Sequence, residues 1–153
     1  MNRHFIASCL TTLVICSAIS SARAQTTQLE VPLIVRTGFD SLKASGFKSA
    51  VAAWMRGSPA EDPSIPAQLM QSLGVVLEKY GPYQGYDIVG VVGIGEHVRR
   101  IYAVALFDRG PVYASFDCYS RGGSWIIPGF LMNAQAQMIL PPAMLTPTPS
   151  ARP

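Results

Sequence analysis

Residues 100–119 read RIYAVALFDRGPVYASFDCY. Ile101, Ala103, Ala105 and Phe107 alternate with Arg100, Tyr102, Val104 and Leu106. Beyond Asp108-Arg109-Gly110-Pro111 the alternation resumes, with Val112, Ala114, Phe116 and Cys118 set against Tyr113, Ser115, Asp117 and Tyr119. A period of two on both sides of a link rich in turn residues predicts two antiparallel strands joined as a hairpin. With Phe107 opposite Val112, Ala105 faces Ala114, Ala103 faces Phe116, Ile101 faces Cys118 and Tyr102 faces Asp117. One face of the pair is then wholly apolar, and the other carries tyrosines and the charged groups. A slip of one residue would exchange the two faces, so the assignment depends on the length of the link.

Working outward, the same period holds over 86–94 and 125–132, with Gly95-Glu96-His97-Val98 and Ser120-Arg121-Gly122-Gly123-Ser124 as further hairpin links. Four strands in sequence joined this way form a meander. Ile88, Val92 and Ile94 are expected to extend its apolar face, and Gly90, Gly93 and Gly95 to permit a bend or bulge. Upstream, the period is helical. Residues 36–56 carry Phe39, Leu42, Phe47, Val51, Trp54 and Met55 on one face, punctuated by Gly46 and ended by Gly57-Ser58-Pro59. Residues 66–80 begin with Pro66 in a first helical turn and continue Leu69, Leu73, Val76, Leu77 and Tyr80 along one stripe. The expected fold class is α+β, with N-terminal helices packed on a curved four-stranded antiparallel meander.

The order 79-KYGPYQGYDIV-89, Arg100-Ile101-Tyr102, Asp108-Arg109-Gly110-Pro111, Phe116-x-x-Tyr119 and Gly123-x-Trp125 resembles small exported bacterial proteins with the nuclear-transport-factor-two-like fold. The resemblance spans residues 36–133. It implies a cone-like sheet wrapped by helices, with a pocket between the concave face and the helices. It also implies dimerisation through the sheet face that the helices leave bare. That fold hosts ketosteroid isomerases, dehydratases and non-catalytic binding modules alike, so it implies a shape and no single activity.

The ends of the chain are read from composition. Residues 1–24 have a basic start at Arg3 and His4, an apolar run and an Ala22-Arg23-Ala24 cleavage pattern, the three parts of a secretory signal. The run is shorter than the roughly 20 residues that span a bilayer, so the expectation is export to a periplasmic or extracellular location with no stable membrane anchor. Ile15 ahead of Cys16 is too large for a lipidation site. Residues 25–35 are expected to be a linker, and 134–153, with its prolines, a disordered tail. Without the signal, the chain's charge of +3 falls to +1 because Arg3 and Arg23 leave with it. That balance excludes a nucleic-acid surface. Of three cysteines only Cys118 remains, so no internal disulfide can form.

The candidate site residues are Tyr102, Tyr113, Asp117 and Tyr119, all on the tyrosine-bearing face. Asp117 opposite Tyr102 could supply a base and an oxyanion donor in a pocket, or be a simple cross-strand pair; the second is the expectation. Aromatics with few charges are the composition of interface cores. His97 stands alone in a turn, without a second ligand for a metal. It lies too far along the strand from Cys118 for a catalytic dyad, and the thiol is expected to be buried and unreactive. Gly90, Gly93 and Gly95 lack the following helix of a dinucleotide loop. No cofactor and no metal are expected. The expected function is a non-catalytic binding or protein-interaction domain, taking a second copy, a protein partner or a small apolar ligand. The alternative is a small periplasmic enzyme of the ketosteroid-isomerase-like or hydrolase kind.

Overall fold

In the computed structural model, residues 29–61, 74 and 77–146 are described. The expected signal (1–24) and most of the expected helix 66–80 lie outside them; Gly74 and residues 77–80 are helical. Helix α1 runs Leu33–Ser45 and α2 runs Phe47–Met55, followed by a 3-10 turn at Pro59–Glu61. Strands β1 (Tyr83–Ile94), β2 (Val98–Phe107), β3 (Gly110–Arg121) and β4 (Ser124–Asn133) form one antiparallel sheet in the order β1-β2-β3-β4. This is the expected α+β arrangement of helices first and a four-stranded meander after them.

The helical stripe reads as expected from Phe39 to Met55. Gly46 separates the two helices at φ 80°, in the left-handed region that favours glycine. The helix nevertheless starts earlier than expected. Val31 and Val35 are core residues and Pro32 is also buried, so the described part of the expected 25–35 linker is built into the fold. Trp54 anchors the core. It is wholly buried, and its ring Nε1–H donates to the carbonyl of Val35 at 3.0 Å. The indole sits against Gly38, where a Cβ would come within 1.8 Å of Nε1. Phe39, Phe116 and Phe130 surround it at ring-centroid distances of 5.1–5.4 Å where they meet the indole. Tyr86 stacks on Phe39 at 4.2 Å.

The register differs from the expected one by two residues. Phe107 pairs with Gly110, so Ala105 faces Val112, Ala103 faces Ala114, Ile101 faces Phe116 and Arg99 faces Cys118. The link is tighter than its four turn-forming residues imply, because only Asp108 and Arg109 form the turn. Their amides donate to the carbonyls of Pro82 and Tyr80, at 3.1 and 3.0 Å, which ties the hairpin to the end of the preceding helix. Pro111 can then lie in β3 because the pairing with β4 starts at Tyr113 and leaves no ladder bond for it to donate. Since side chains alternate with period two, a shift of two moves every partner and leaves both faces intact. Ile101, Ala103, Ala105, Val112, Ala114, Phe116 and Cys118 are all buried beneath the helices.

One expectation for the apolar face fails in β1. A bulge between Ile88 and Gly90 turns the alternation over, so Ile88 and Val91 face the core. Val92 and Ile94 pair with Arg100 and Val98 on the opposite side and are exposed. The glycines permit the bulge, as expected, but the bulge also decides which side chains point inward.

The expected tail is corrected as well. Residues 134–146 are not a disordered extension: after β4 the chain forms a 3-10 turn at Ala136–Met138, buries Leu140 and makes a helical turn at Pro142–Leu145. We call this segment the strap. It crosses the outer face of the sheet. Apolar residues ordered by a neighbouring surface need no period of their own, and Pro141-Pro142 lowers the entropy lost on docking.

Candidate functional site

The outer face of the sheet is where polar, aromatic and exposed apolar groups come together. Its residues follow from the register: Arg100, Tyr102, Val104 and Leu106 from β2, and Tyr113, Ser115, Asp117 and Tyr119 from β3. Val92 and Ile94 join them from β1, and Leu131 from β4. The strap divides this surface into two grooves. The first, about 380 Å³, is lined by Arg100, Tyr102, Ser115, Asp117 and Leu131, with Met138 and Ile139 of the strap along one side. The second, about 490 Å³, lies between Val89, Val104 and Tyr113 and the strap residues from Leu140 to Thr146.

All four sequence-predicted residues lie on this side, though not as the predicted constellation. Asp117 is opposite Arg100 and not Tyr102, which faces Ser115. The Arg100 guanidinium donates to both carboxylate oxygens, Nε to Oδ1 at 2.6 Å and Nη2 to Oδ2 at 2.9 Å. The bond to Asp117 holds the guanidinium charge above its ordinary range, against an opposing push from burial, and Tyr102 adds a smaller hydrogen-bonding contribution. With both its oxygens taken, Asp117 is a poor candidate for a general base. The two-residue shift in register is the whole reason for the exchange of partners. Tyr102 is itself 8% exposed, because Gly90 and Met144 close over it. Tyr113 is half-buried in the second groove, and Tyr119 is 42% exposed at the far end of β3.

The inner face carries ionisable groups of another kind. Cys118 is wholly buried, and burial, helped by nearby Asp117, pushes its thiol up to about 12 against a lowering by Arg99. At neutral pH it is a protonated thiol, without the thiolate that nucleophilic chemistry needs. It sits opposite Arg99, whose guanidinium stacks 4.6 Å over Trp125 and donates to the Glu30 carbonyl at 2.5 Å. His97 is an exposed turn residue whose carbonyl accepts from the Ser120 amide at 2.8 Å. Tyr83 and Tyr86 reach the core from β1. Burial first, then Tyr86 and Asp40, raise the Tyr83 phenol, and its buried hydroxyl has no hydrogen-bond partner among the described residues. Among those residues no three His, Cys, Asp or Glu side chains are grouped as metal ligands, and no helix is long and apolar enough to cross a membrane.

Sequence reasoning missed Arg100 as the partner of Asp117, and the strap residues Leu140 and Met144. The first would have needed the turn length. The second had a faint signal, the apolar runs Met138-Ile139-Leu140 and Met144-Leu145 on either side of Pro141-Pro142. A scan against family models, a search of curated proteins and a search of solved structures each found no match to this chain.

Proposed function

We propose that the protein is an exported, non-catalytic binding domain that works through the outer face of its sheet, with a second copy of the chain as its partner. The observation that carries this reading is the distribution of exposed apolar surface. Of the nine large hydrophobic side chains exposed among the described residues, Leu33 alone lies elsewhere. Val89, Val92, Ile94, Leu106, Tyr119 and Leu131 are on the outer sheet face, and Met138 and Leu145 on the strap across it. Such a concentration on one side is the mark of an interaction surface.

Charge supports the same partner. By register the strands place Asp87, Arg100, Asp117 and Arg121 on this face, two of each sign, and residues 134–146 carry no charge at all. A face with no net charge meets its own copy without like-charge repulsion. The order of helices and meander supports the relationship to the nuclear-transport-factor-two-like fold, which belongs to the same proposal, as do export and the signal at residues 1–24. Enzymatic chemistry is disfavoured by the engagement of Asp117 and the protonated state of Cys118.

The test is the light-scattering mass of the chain without residues 1–24 over a range of concentrations, beside Leu131→Asp, whose side chain is 65% exposed. A dimer that this change weakens by roughly tenfold or more is the expected result. A monomer at every concentration, or a dimer that is indifferent to Leu131→Asp, overturns the outer face as the site of self-association.

A further inference from the structure

We infer that the strap, residues 134–146, is a displaceable ligand of the outer face, and that the groove it fills takes the same segment from a second copy by reciprocal exchange. This rests on the outer-face reading above and goes further, since it names what the surface binds.

The strap's hydrogen bonds are the first ground. The amide of Gln135 donates to Asn133 Oδ1 at 2.8 Å, and the amides of Met138, Ile139, Leu140 and Met144 donate to carbonyls of the strap itself. Thr146 Oγ1 turns back to Ala143 and Pro142. Among the described residues, that bond from Gln135 to Asn133, at the end of β4 where the strap begins, is the only hydrogen bond or ion pair between the strap and the sheet. Beyond its root it is held by apolar packing, and Leu140 is its only buried side chain. Segments with little buried apolar surface and self-contained backbone bonds lie at the low end of local opening free energies. Opening therefore costs the strap no internal turn and leaves the four-stranded ladder untouched.

The seat is the second ground, because it is specific. Met144 lies directly over Gly90, where a Cβ would come within 2.3 Å of its Cε and 3.7 Å of the Tyr102 ring. Leu140 fits between Val104 and Tyr113 in the second groove. A notch made by a missing side chain, filled by a thioether at a fixed distance from a buried leucine, selects a short uncharged segment with this spacing. The segment that satisfies it is the chain's own, and every copy carries one. Asn133, Ala134 and Gln135 provide the connection that must extend, and Ala134 and Gln135 are exposed. Exchange of an identical element between protomers makes a dimer out of contacts that already exist in the monomer.

The experiment titrates a fluorescent peptide of residues 134–146 into the chain without residues 1–24, into Leu140→Asp, and into Leu140→Asp combined with Gly90→Val. Gly90 is not at positive φ, so valine suits the strand backbone and fills the notch taken by Met144, beside the Tyr102 ring. In the unaltered chain the tethered strap competes at an effective concentration on the order of millimolar. Releasing it in Leu140→Asp should raise apparent peptide affinity at least ~10-fold, and Gly90→Val should abolish the gain. Hydrogen exchange on the unaltered chain supplies a readout free of folding defects. The amides of Leu140 and Met144 should exchange at least ~100-fold faster than those of Ala103 and Ala114. Strap amides as protected as the central strands, or no peptide binding by a folded Leu140→Asp chain, would overturn the inference. A dimer split by Leu131→Asp without peptide binding sinks strap exchange and leaves the outer-face reading standing. Peptide binding by a chain that stays monomeric overturns the second copy as partner and leaves the groove.

Discussion

The two faces of this sheet are built by alternate residues of the same strands, yet they hold together by different means. On the inner face, Ile101, Ala103, Ala105, Ala114 and Phe116 are wholly buried, and the small residues make room for Phe39 and Trp54. On the outer face the polar groups pair across strands, the large apolar groups stay exposed, and the cover is a strap whose only hydrogen bond to the sheet, among the described residues, is at its root, from Gln135 to Asn133. Burial at a fixed packing density makes the inner face intolerant of change in volume. The outer face is tolerant, which is what a surface that binds and releases requires.

The largest expected effects therefore belong to the inner face. Trp54→Ala should destabilise the fold by about 3–5 kcal/mol in denaturant unfolding, from the lost contacts with four phenylalanines and the unpaired Val35 carbonyl. Gly38→Ala should cost about 1–3 kcal/mol, because the indole facing it is packed on all sides and cannot move aside. If either proves neutral in such a titration, the inner face is looser than its geometry says.

Next comes the pH dependence of Cys118. Its folded pKa is raised to about 12, so the unfolded chain deprotonates first as pH rises. The contribution is fully present below about pH 8.5, the ordinary range of a thiol, and is lost progressively toward pH 12. Unfolding free energies measured from pH 8 to pH 11 should fall, and Cys118→Ala should flatten that part of the curve. A thiol reagent at pH 8 should label Cys118 only on unfolding, and fast labelling of the native chain would contradict its burial.

The smallest effect is expected on the outer face. The Arg100–Asp117 pair is half-exposed, so Asp117→Asn should change stability by only about 0–1 kcal/mol, less in high salt. A loss much greater than this would mean that the pair is shielded from water by a bound partner and would sharpen the case for an interface there.

Much of the fold was legible in the residues because it rests on periods. The switch from helical spacing, read as far as Tyr80, to alternation after Gly85 named the class, and period two assigned the faces of β2 and β3 correctly even under a wrong register. The candidate site was legible only as a face. Tyr102, Tyr113, Asp117 and Tyr119 do share it, but the partner of Asp117 depended on a turn two residues tighter than its composition implied. Val92 and Ile94 were lost to a bulge, since glycines permit one without saying where the extra residue falls. The strap was missed for a related reason: Leu140 and Met144 have no neighbours in sequence that explain their burial.

By itself, then, the sequence determined the element types, their order and the division of the sheet into an apolar and a mixed face, all consequences of side-chain alternation along single segments. Tertiary structure alone decided which residues pair, which way β1 faces after its bulge and what lies over the outer face. Those depend on contacts between segments far apart in the chain: Asp108 and Arg109 on Pro82 and Tyr80, Arg100 on Asp117, and Met144 in the notch at Gly90. A period records what one segment needs to bury, and the structure settles which other segment buries it.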